Sequence, residues 1–254
     1  MSAPLNPDRL LDVLETEGTR MAASAEGTNH DNAVPACPGL TLGETVRHVG
    51  SVYRMVLTWI RAGERPVLWR RQPAHGESVE NYLRDGLRAM LGELAAHDPT
   101  QACATWHPHQ RHYGFWCRRM AHETTVHRVD VQVAAGKAID VIEADIALDG
   151  IDEVLTLWFI HRLSVLGVSG TRRGTVAVRS GGRVWLVTVG ETGTATVTAT
   201  EAEVGRASAV LTAEPMAMYL WLWGRGPFFT NDIHRDGDED LSAQVWALLR
   251  LATR

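Results

Sequence analysis

The amino-acid sequence predicts a helical bundle followed by a smaller domain of the α+β class. Its 254 residues exceed the usual size of a single domain. Roughly the first 165 residues place apolar side chains at helical spacing, and roughly the next 60 show the alternation of short strands around glycine turns. Such a change of period within one chain indicates two domains, which we place at residues 1–145 and 146–254.

Four amphipathic segments predict the bundle. The first begins at Asn6, a favourable N-cap, with Pro7 at the first helical position. The second begins with Thr41 and Glu44, which have the spacing of a capping box, and the fourth ends at Gly136. Four helices of about 20 residues joined by loops favour an antiparallel bundle. The predicted helices are residues 6–27, 41–63, 78–97 and 113–136.

The second domain is predicted as an antiparallel sheet with helices packed on it. Gly181 and Gly182 separate two alternating segments, residues 174–180 and 183–190, which is the pattern of a two-residue β-hairpin. The other predicted elements are strands at residues 194–200 and 206–213 and helices at residues 151–167, 215–224 and 240–252.

The charge and hydropathy of the chain exclude several classes of function. The net charge is −5 and the sequence pI is about 6.1, so we expect no nucleic-acid partner, which would require a basic surface. No apolar run reaches the roughly 18 residues of a membrane span, and no membrane partner is expected. The first residues lack the basic and apolar regions of a secretory signal. We therefore expect a cytoplasmic protein, either a monomer or a homodimer.

Cysteine and arginine usage adds two further indications. Cys37, Cys103 and Cys117 are too few and too widely spaced for a disulfide framework or a cysteine metal knuckle, which agrees with a reducing compartment. Of the 25 basic residues, 24 are arginine and only Lys137 is lysine. This bias is typical of a GC-rich genome and suggests an actinobacterial source.

The segment RRMAHETTVHRVD, residues 118–130, contains the candidate metal ligands. It resembles the zinc-protease motif H-E-x-x-H but is one residue too long, since His122 and His127 point about 140° apart on a helix. Glu123 and His127 lie one turn apart and share a face, so the glutamate is predicted as a ligand rather than a general base. His48, in the middle of the second helix, is the best third ligand. Two histidines, one glutamate and an open fourth position are typical of a catalytic zinc site.

Structural interpretations of the same residues remain open. An isolated histidine on an apolar helix face, such as His48, is also typical of a hydrogen-bonded core residue. Glu123 and His127 also fit a polar pair on a solvated helix face. Asp130, one turn beyond His127, either supports that ligand or is a surface charge, and we favour the surface charge.

Two more groups of residues have candidate roles. His107, His109 and His112 form a rival histidine cluster, but no carboxylate or thiol follows close by, so we interpret the segment as a loop at the mouth of the bundle that contacts substrate. Arg225 follows the apolar helix of the second domain. It either neutralises the C-terminus of that helix or binds a substrate carboxylate through its planar guanidinium group.

The sequences VRHVG, WCRRMAHETTVHRVD and LWLWGR, in this order, resemble the mycothiol-dependent maleylpyruvate isomerase family. The resemblance implies a DinB-like four-helix metal-binding domain followed by a small α+β domain. It also implies Zn²⁺, or another divalent metal, bound by His48, Glu123 and His127, with Arg225 near the metal. Mycothiol is implied as the thiol cosubstrate, which agrees with the arginine-rich composition because mycothiol is an actinobacterial thiol.

We therefore expect a metal-dependent, mycothiol-using isomerase or S-transferase that acts on a small electrophilic, carboxylated substrate. A thiolate adds to a conjugated double bond, and an isomerase then rotates the adduct and expels the thiolate. Cys117 lies about 120° around its helix from Glu123 and is not expected to be a nucleophile. Two other interpretations are kept: a metal-dependent hydrolase on the same bundle, and a non-enzymatic module that binds a small ligand.

Overall fold

The computed structural model describes residues 5–191 and 193–253, which form two compact units. The helical unit comprises residues 5–140, and the mixed unit begins at Val141. The helical unit thus ends five residues before the expected domain boundary. None of the helices in the described residues is long and apolar enough to cross a membrane.

The helical unit is a four-helix bundle, as predicted. Helices α1 and α2 each pack against both α3 and α4. The caps also form as predicted: the Asn6 side chain accepts a hydrogen bond from the Asp8 backbone amide, and Thr41 and Glu44 form a complete capping box. The helices are α1, Pro7–Ala25; α2, Leu42–Ala62; α3, Val79–Ala95; and α4, Tyr113–Ala134.

The interior of the bundle combines apolar packing with a buried ion pair between α1 and α4. Most of the apolar positions of α2 and α3 that follow helical spacing are buried, and Val49, Val56 and Leu83 are completely buried. Arg128 of α4 is completely buried and donates from Nε to Glu17 Oε2 of α1 at 2.7 Å. A buried cation without this carboxylate would be strongly unfavourable, so the pair fixes α1 against α4.

The second unit is an α+β domain built on a five-stranded sheet with the strand order β3-β2-β1-β4-β5. Gly181 and Gly182 join β1 to β2 with positive φ angles of 53° and 76°, as the hairpin pattern predicts. The strands are β1, Gly174–Ser180; β2, Arg183–Val189; β3, Thr194–Ala199; β4, Ala209–Thr212; and β5, His234–Gly237. The helices are α5, Ala144–Glu153; α6, Leu163–Leu166; α7, Pro215–Leu222; and α8, Glu239–Ala252.

The predicted fold class is confirmed, but three details of this unit differ from the prediction. The sheet is mixed rather than antiparallel, because β4 pairs with β1 in parallel. Strand β5 was not predicted, since its sequence HRDG lacks the apolar alternation of a strand and forms one by pairing with β4 at the sheet edge. The single helix predicted at 151–167 begins instead at Ala144 and is divided into α5, a π-helical segment Val154–Arg162 and α6.

Candidate metal centre

The structure brings together the three residues that the sequence predicts as metal ligands. His48 projects from α2, and Glu123 and His127 project from α4. The Nε2 atoms of His48 and His127 each lie 3.4 Å from Glu123 Oε1. One ligand atom from each of the three residues lies within 4.8 Å of the others. The His127 and Glu123 side chains are only 13% and 18% exposed, so the pair does not lie on a solvated helix face.

Packing between α2 and α4 determines the position of the cluster. The Tyr53 hydroxyl of α2 and the Thr124 hydroxyl of α4 are 2.6 Å apart, and both residues are completely buried. Burial raises the pKa of Tyr53 well above its ordinary value, so this hydroxyl stays protonated. Thr124 directly follows Glu123, and Tyr53 lies five residues beyond His48. The contact therefore fixes the register that places His48 opposite Glu123.

The spacing of the three side chains fits a small divalent ion. A separation of 3.4 Å is longer than an ordinary N–H···O hydrogen bond, which spans about 2.7–3.2 Å. Two ligand atoms that each lie about 2.0–2.1 Å from a tetrahedral zinc ion are about 3.3 Å apart. The His48 side chain is 27% exposed, which leaves the cluster accessible to a small molecule. Two imidazole nitrogens and a carboxylate oxygen suit Zn²⁺ and also other divalent transition metals.

The carboxylate of Glu123 is held ionised and oriented. Burial alone would raise its pKa, but contacts with His127 and His48 and the charges of His127 and Arg119 hold the pKa well below its ordinary value. Arg119, one turn earlier on α4 and 3% exposed, donates from Nη2 to Glu123 Oε2 at 3.1 Å. Because Arg119 contacts Oε2, the other oxygen, Oε1, faces the two histidines. Glu123 is thus prepared to bind a metal through one oxygen.

Asp130 supports His127 from the side opposite Glu123. Its Oδ2 atom lies 2.9 Å from His127 Nδ1, and the residue is only 1% exposed. The favoured interpretation of Asp130 as a surface charge is therefore wrong, because the bundle buries this face of α4. A carboxylate at Nδ1 directs the Nε2 lone pair of His127 towards Glu123 and His48, as is usual for metal-binding histidines. Cys37 also contacts Asp130, with Sγ 3.6 Å from Oδ2.

The cluster stabilises positive charge. Burial lowers the pKa of His127, but the hydrogen bond with Asp130 and the contact with Glu123, together with the negative charges of both residues, raise this pKa to about 9. The imidazole thus lies between two carboxylates that favour a cation. The same negative potential would attract a divalent ion to Nε2.

The rival histidine cluster has local structural roles. His112 is the N-cap of α4, and its side chain accepts a hydrogen bond from the Phe115 backbone amide at 3.2 Å. His107 Nδ1 accepts from the backbone amides of His109 and Gln110 at 3.2 and 3.0 Å. None of these three histidines belongs to a potential metal-binding group within residues 5–191 and 193–253. Contact with substrate remains a prediction for this loop.

Arg225 lies just beyond α7 in the second unit. Its backbone amide donates to the Leu220 carbonyl at 2.7 Å, and its Nη1 atom donates to the Trp223 carbonyl at 2.6 Å. The second contact agrees with an arginine that neutralises the carbonyl end of a helix. Its predicted binding of a substrate carboxylate remains a prediction.

Two residues beside the cluster, Arg119 and Trp69, were not predicted from the sequence. Arg119 could have been found, because it precedes Glu123 by one helical turn. Trp69 could not, because it lies in the loop between α2 and α3, where side-chain periodicity gives no information. Its ring packs edge-on against His48, with ring centroids 5.7 Å apart and an interplanar angle of 70°.

Comparison with known proteins finds a match for the bundle. Residues 11–132 match the protein-family model described as the mycothiol maleylpyruvate isomerase N-terminal domain. The resemblance stated from the sequence is confirmed. No curated protein matches the chain.

Two solved structures share the fold along most of the chain. One is a histidine-to-alanine mutant of the mycothiol-dependent maleylpyruvate isomerase, with 12% sequence identity and a TM-score of 0.61. The other is the mycothiol-dependent maleylpyruvate isomerase, with 13% identity and a TM-score of 0.53. Each match covers 92% of this chain and 95% of the other. At such low identity the likeness extends to the fold and not to the reaction.

Proposed function

We propose that this protein is a metal-dependent enzyme that uses mycothiol in an isomerase or S-transferase reaction on a small electrophilic, carboxylated substrate. The observation that carries the proposal is the convergence of His48, Glu123 and His127 at ligand spacing. The family match and the names of the two solved relatives, which are mycothiol-dependent maleylpyruvate isomerases, support the thiol and the class of reaction.

Each residue of the cluster has a distinct task in this proposal. His48, Glu123 and His127 hold Zn²⁺ or another divalent metal, Asp130 orients His127, and Arg119 orients Glu123. The bound metal would supply a Lewis acid that favours the thiolate form of a thiol near neutral pH. Three protein ligands leave one coordination position open. No cysteine of the chain is needed as a nucleophile.

The reaction proceeds through the mycothiol thiolate. The thiolate adds to one end of a conjugated double bond, a C–S bond forms, and the π electrons move to the adjacent carbonyl oxygen. Rotation about the resulting single bond, return of the electrons and cleavage of the C–S bond give the trans isomer and regenerate the thiolate. In an S-transferase the adduct takes up a proton and leaves. Arg225 remains the residue predicted from the sequence to stabilise the charge that develops on the carbonyl oxygen.

A reconstitution assay tests the proposal. Protein loaded with zinc is mixed with maleylpyruvate or other cis-enoyl acids, with and without mycothiol. Chromatography then measures how much substrate is lost and how much of its isomer is formed. We expect turnover only when both metal and thiol are present, as in a reducing cytoplasm. Turnover without thiol would instead support the hydrolase. Absence of turnover with every thiol and electrophile, in a protein that binds no metal, would support a ligand-binding module.

A further inference from the structure

The loop between α2 and α3, residues 63–78, borders the metal-ligand cluster. Contacts with Ser51 hold it on α2: the Arg71 amide donates to the Ser51 hydroxyl at 3.4 Å, and the Ser51 proton is shared between the Arg47 carbonyl at 2.9 Å and the Arg71 carbonyl at 3.2 Å. Ser51 is completely buried and lies one helical turn after His48. The anchor therefore holds Trp69, two residues before Arg71, against the His48 ring.

The loop carries positive charge and apolar surface at the same place. The guanidinium carbons of Arg70 and Arg65 lie 5.3 and 6.0 Å from the centroid of the Trp69 ring. Both arginines are exposed, and neither has an acidic group within 4.0 Å among residues 5–191 and 193–253. Val67 and Leu68 at the tip are 93% and 87% exposed. Elsewhere in the bundle, arginines such as Arg61 and Arg84 are paired with carboxylates.

This combination of groups is suited to a small, flat organic anion. An indole ring offers a large rigid surface for a conjugated carbon chain, and two guanidinium groups without acidic partners attract and hold a carboxylate. Because the Trp69 ring packs directly on the predicted metal ligand His48, an anion bound on this ring lies close to that ligand.

We propose that the loop of residues 63–78 recognises the substrate: Trp69 packs against the conjugated body of the electrophile, and Arg65 and Arg70 bind its carboxylate. This inference rests on the proposed function, since it concerns the substrate of the same site. It assigns the choice of substrate to a loop that contributes none of the metal ligands. The loop therefore determines specificity, and the metal ligands determine the chemistry.

Ligand binding separates the roles of charge and ring. The affinities of maleate and of its neutral diamide are measured by titration calorimetry on metal-free and zinc-loaded protein at low salt. We expect R65Q/R70Q to bind maleate about tenfold more weakly, because two partly solvated charge-assisted contacts are lost, and to leave the diamide unaffected. We expect W69A to weaken binding of both ligands about fivefold, because the ring contacts the carbon chain regardless of charge.

The matched control is R88Q, which removes an exposed arginine of α3 that pairs with Asp85. It should bind both ligands like the unaltered protein. Equal affinity of R65Q/R70Q and R88Q for maleate, or no maleate binding by the unaltered protein in either metal state, would overturn the inference. Zinc content is measured on the same samples. A protein that binds no zinc contradicts the proposed function, whereas normal zinc binding with unaffected loop variants contradicts only the role of the loop.

Discussion

Replacement of Asp130 gives a quantitative test of how the cluster is organised. Asp130 contacts the predicted metal ligand His127, whose Nδ1 atom lies 2.9 Å from its carboxylate, and it is 1% exposed. The loss of such a carboxylate behind a metal-binding histidine typically lowers metal affinity about 10- to 100-fold, which corresponds to about 1.4–2.8 kcal/mol. We expect this loss for D130A. D130N should lie between D130A and the unaltered protein, because the amide oxygen still accepts from Nδ1.

The assay is competition for zinc with a chromophoric chelator, which gives the dissociation constant of each variant. D85N, which alters an exposed aspartate of α3, is the matched control and should keep full affinity. The free energy of unfolding of each metal-free protein separates a change in zinc binding from a change in folding. If D130A bound zinc within twofold of the unaltered protein, Asp130 would not organise His127, and our reading of the cluster would be wrong.

Three further predictions concern parts of the chain that do not bind the metal. Burial raises the pKa of the Cys117 thiol to about 11, so at pH 7.5 this thiol should react slowly with iodoacetamide. C117S should retain activity, and an inactive C117S variant would contradict the proposed thiol chemistry. E17A should lower the free energy of unfolding in urea by about 3–5 kcal/mol, because it leaves Arg128 buried without its carboxylate. The control E15A, at an exposed position, should change it by less than about 0.5 kcal/mol, and equal effects of the two substitutions would refute the role of the pair. G182A should lower the free energy of unfolding by about 1–2 kcal/mol, because φ is 76° at this turn. A thermal unfolding curve that matches that of the unaltered protein would show instead that the hairpin tolerates a side chain.

The bundle was predictable because its signals are local. Capping residues such as Asn6 and Thr41 and the helical spacing of apolar side chains act within one element, and the structure forms those helices within a few residues of the predicted ends. Strand β5 and the parallel pairing of β4 with β1 depend instead on contacts between segments far apart in the chain. Sequence periodicity contains no information about such contacts.

The candidate site shows the same division. Glu123 and His127 share a face of one helix, so their spacing alone predicted the pair, and His48 stood out as a histidine among apolar residues of α2. The buried state of Asp130 depends on how α4 packs in the bundle, which its position on the helix did not reveal. Trp69 contacts His48 from a loop that Ser51 anchors, and no local pattern encodes that contact.

Metal content decides whether the cluster is a metal centre. Gently purified protein, and protein reconstituted with zinc, is analysed by mass spectrometry alongside H48A, E123A and H127A, with D85N as a control for handling. We predict close to one metal ion per chain in the unaltered protein and in D85N, and loss of that ion in the other three variants. Absence of metal from the reconstituted protein, or full retention in the three variants, would contradict a metal centre at His48, Glu123 and His127.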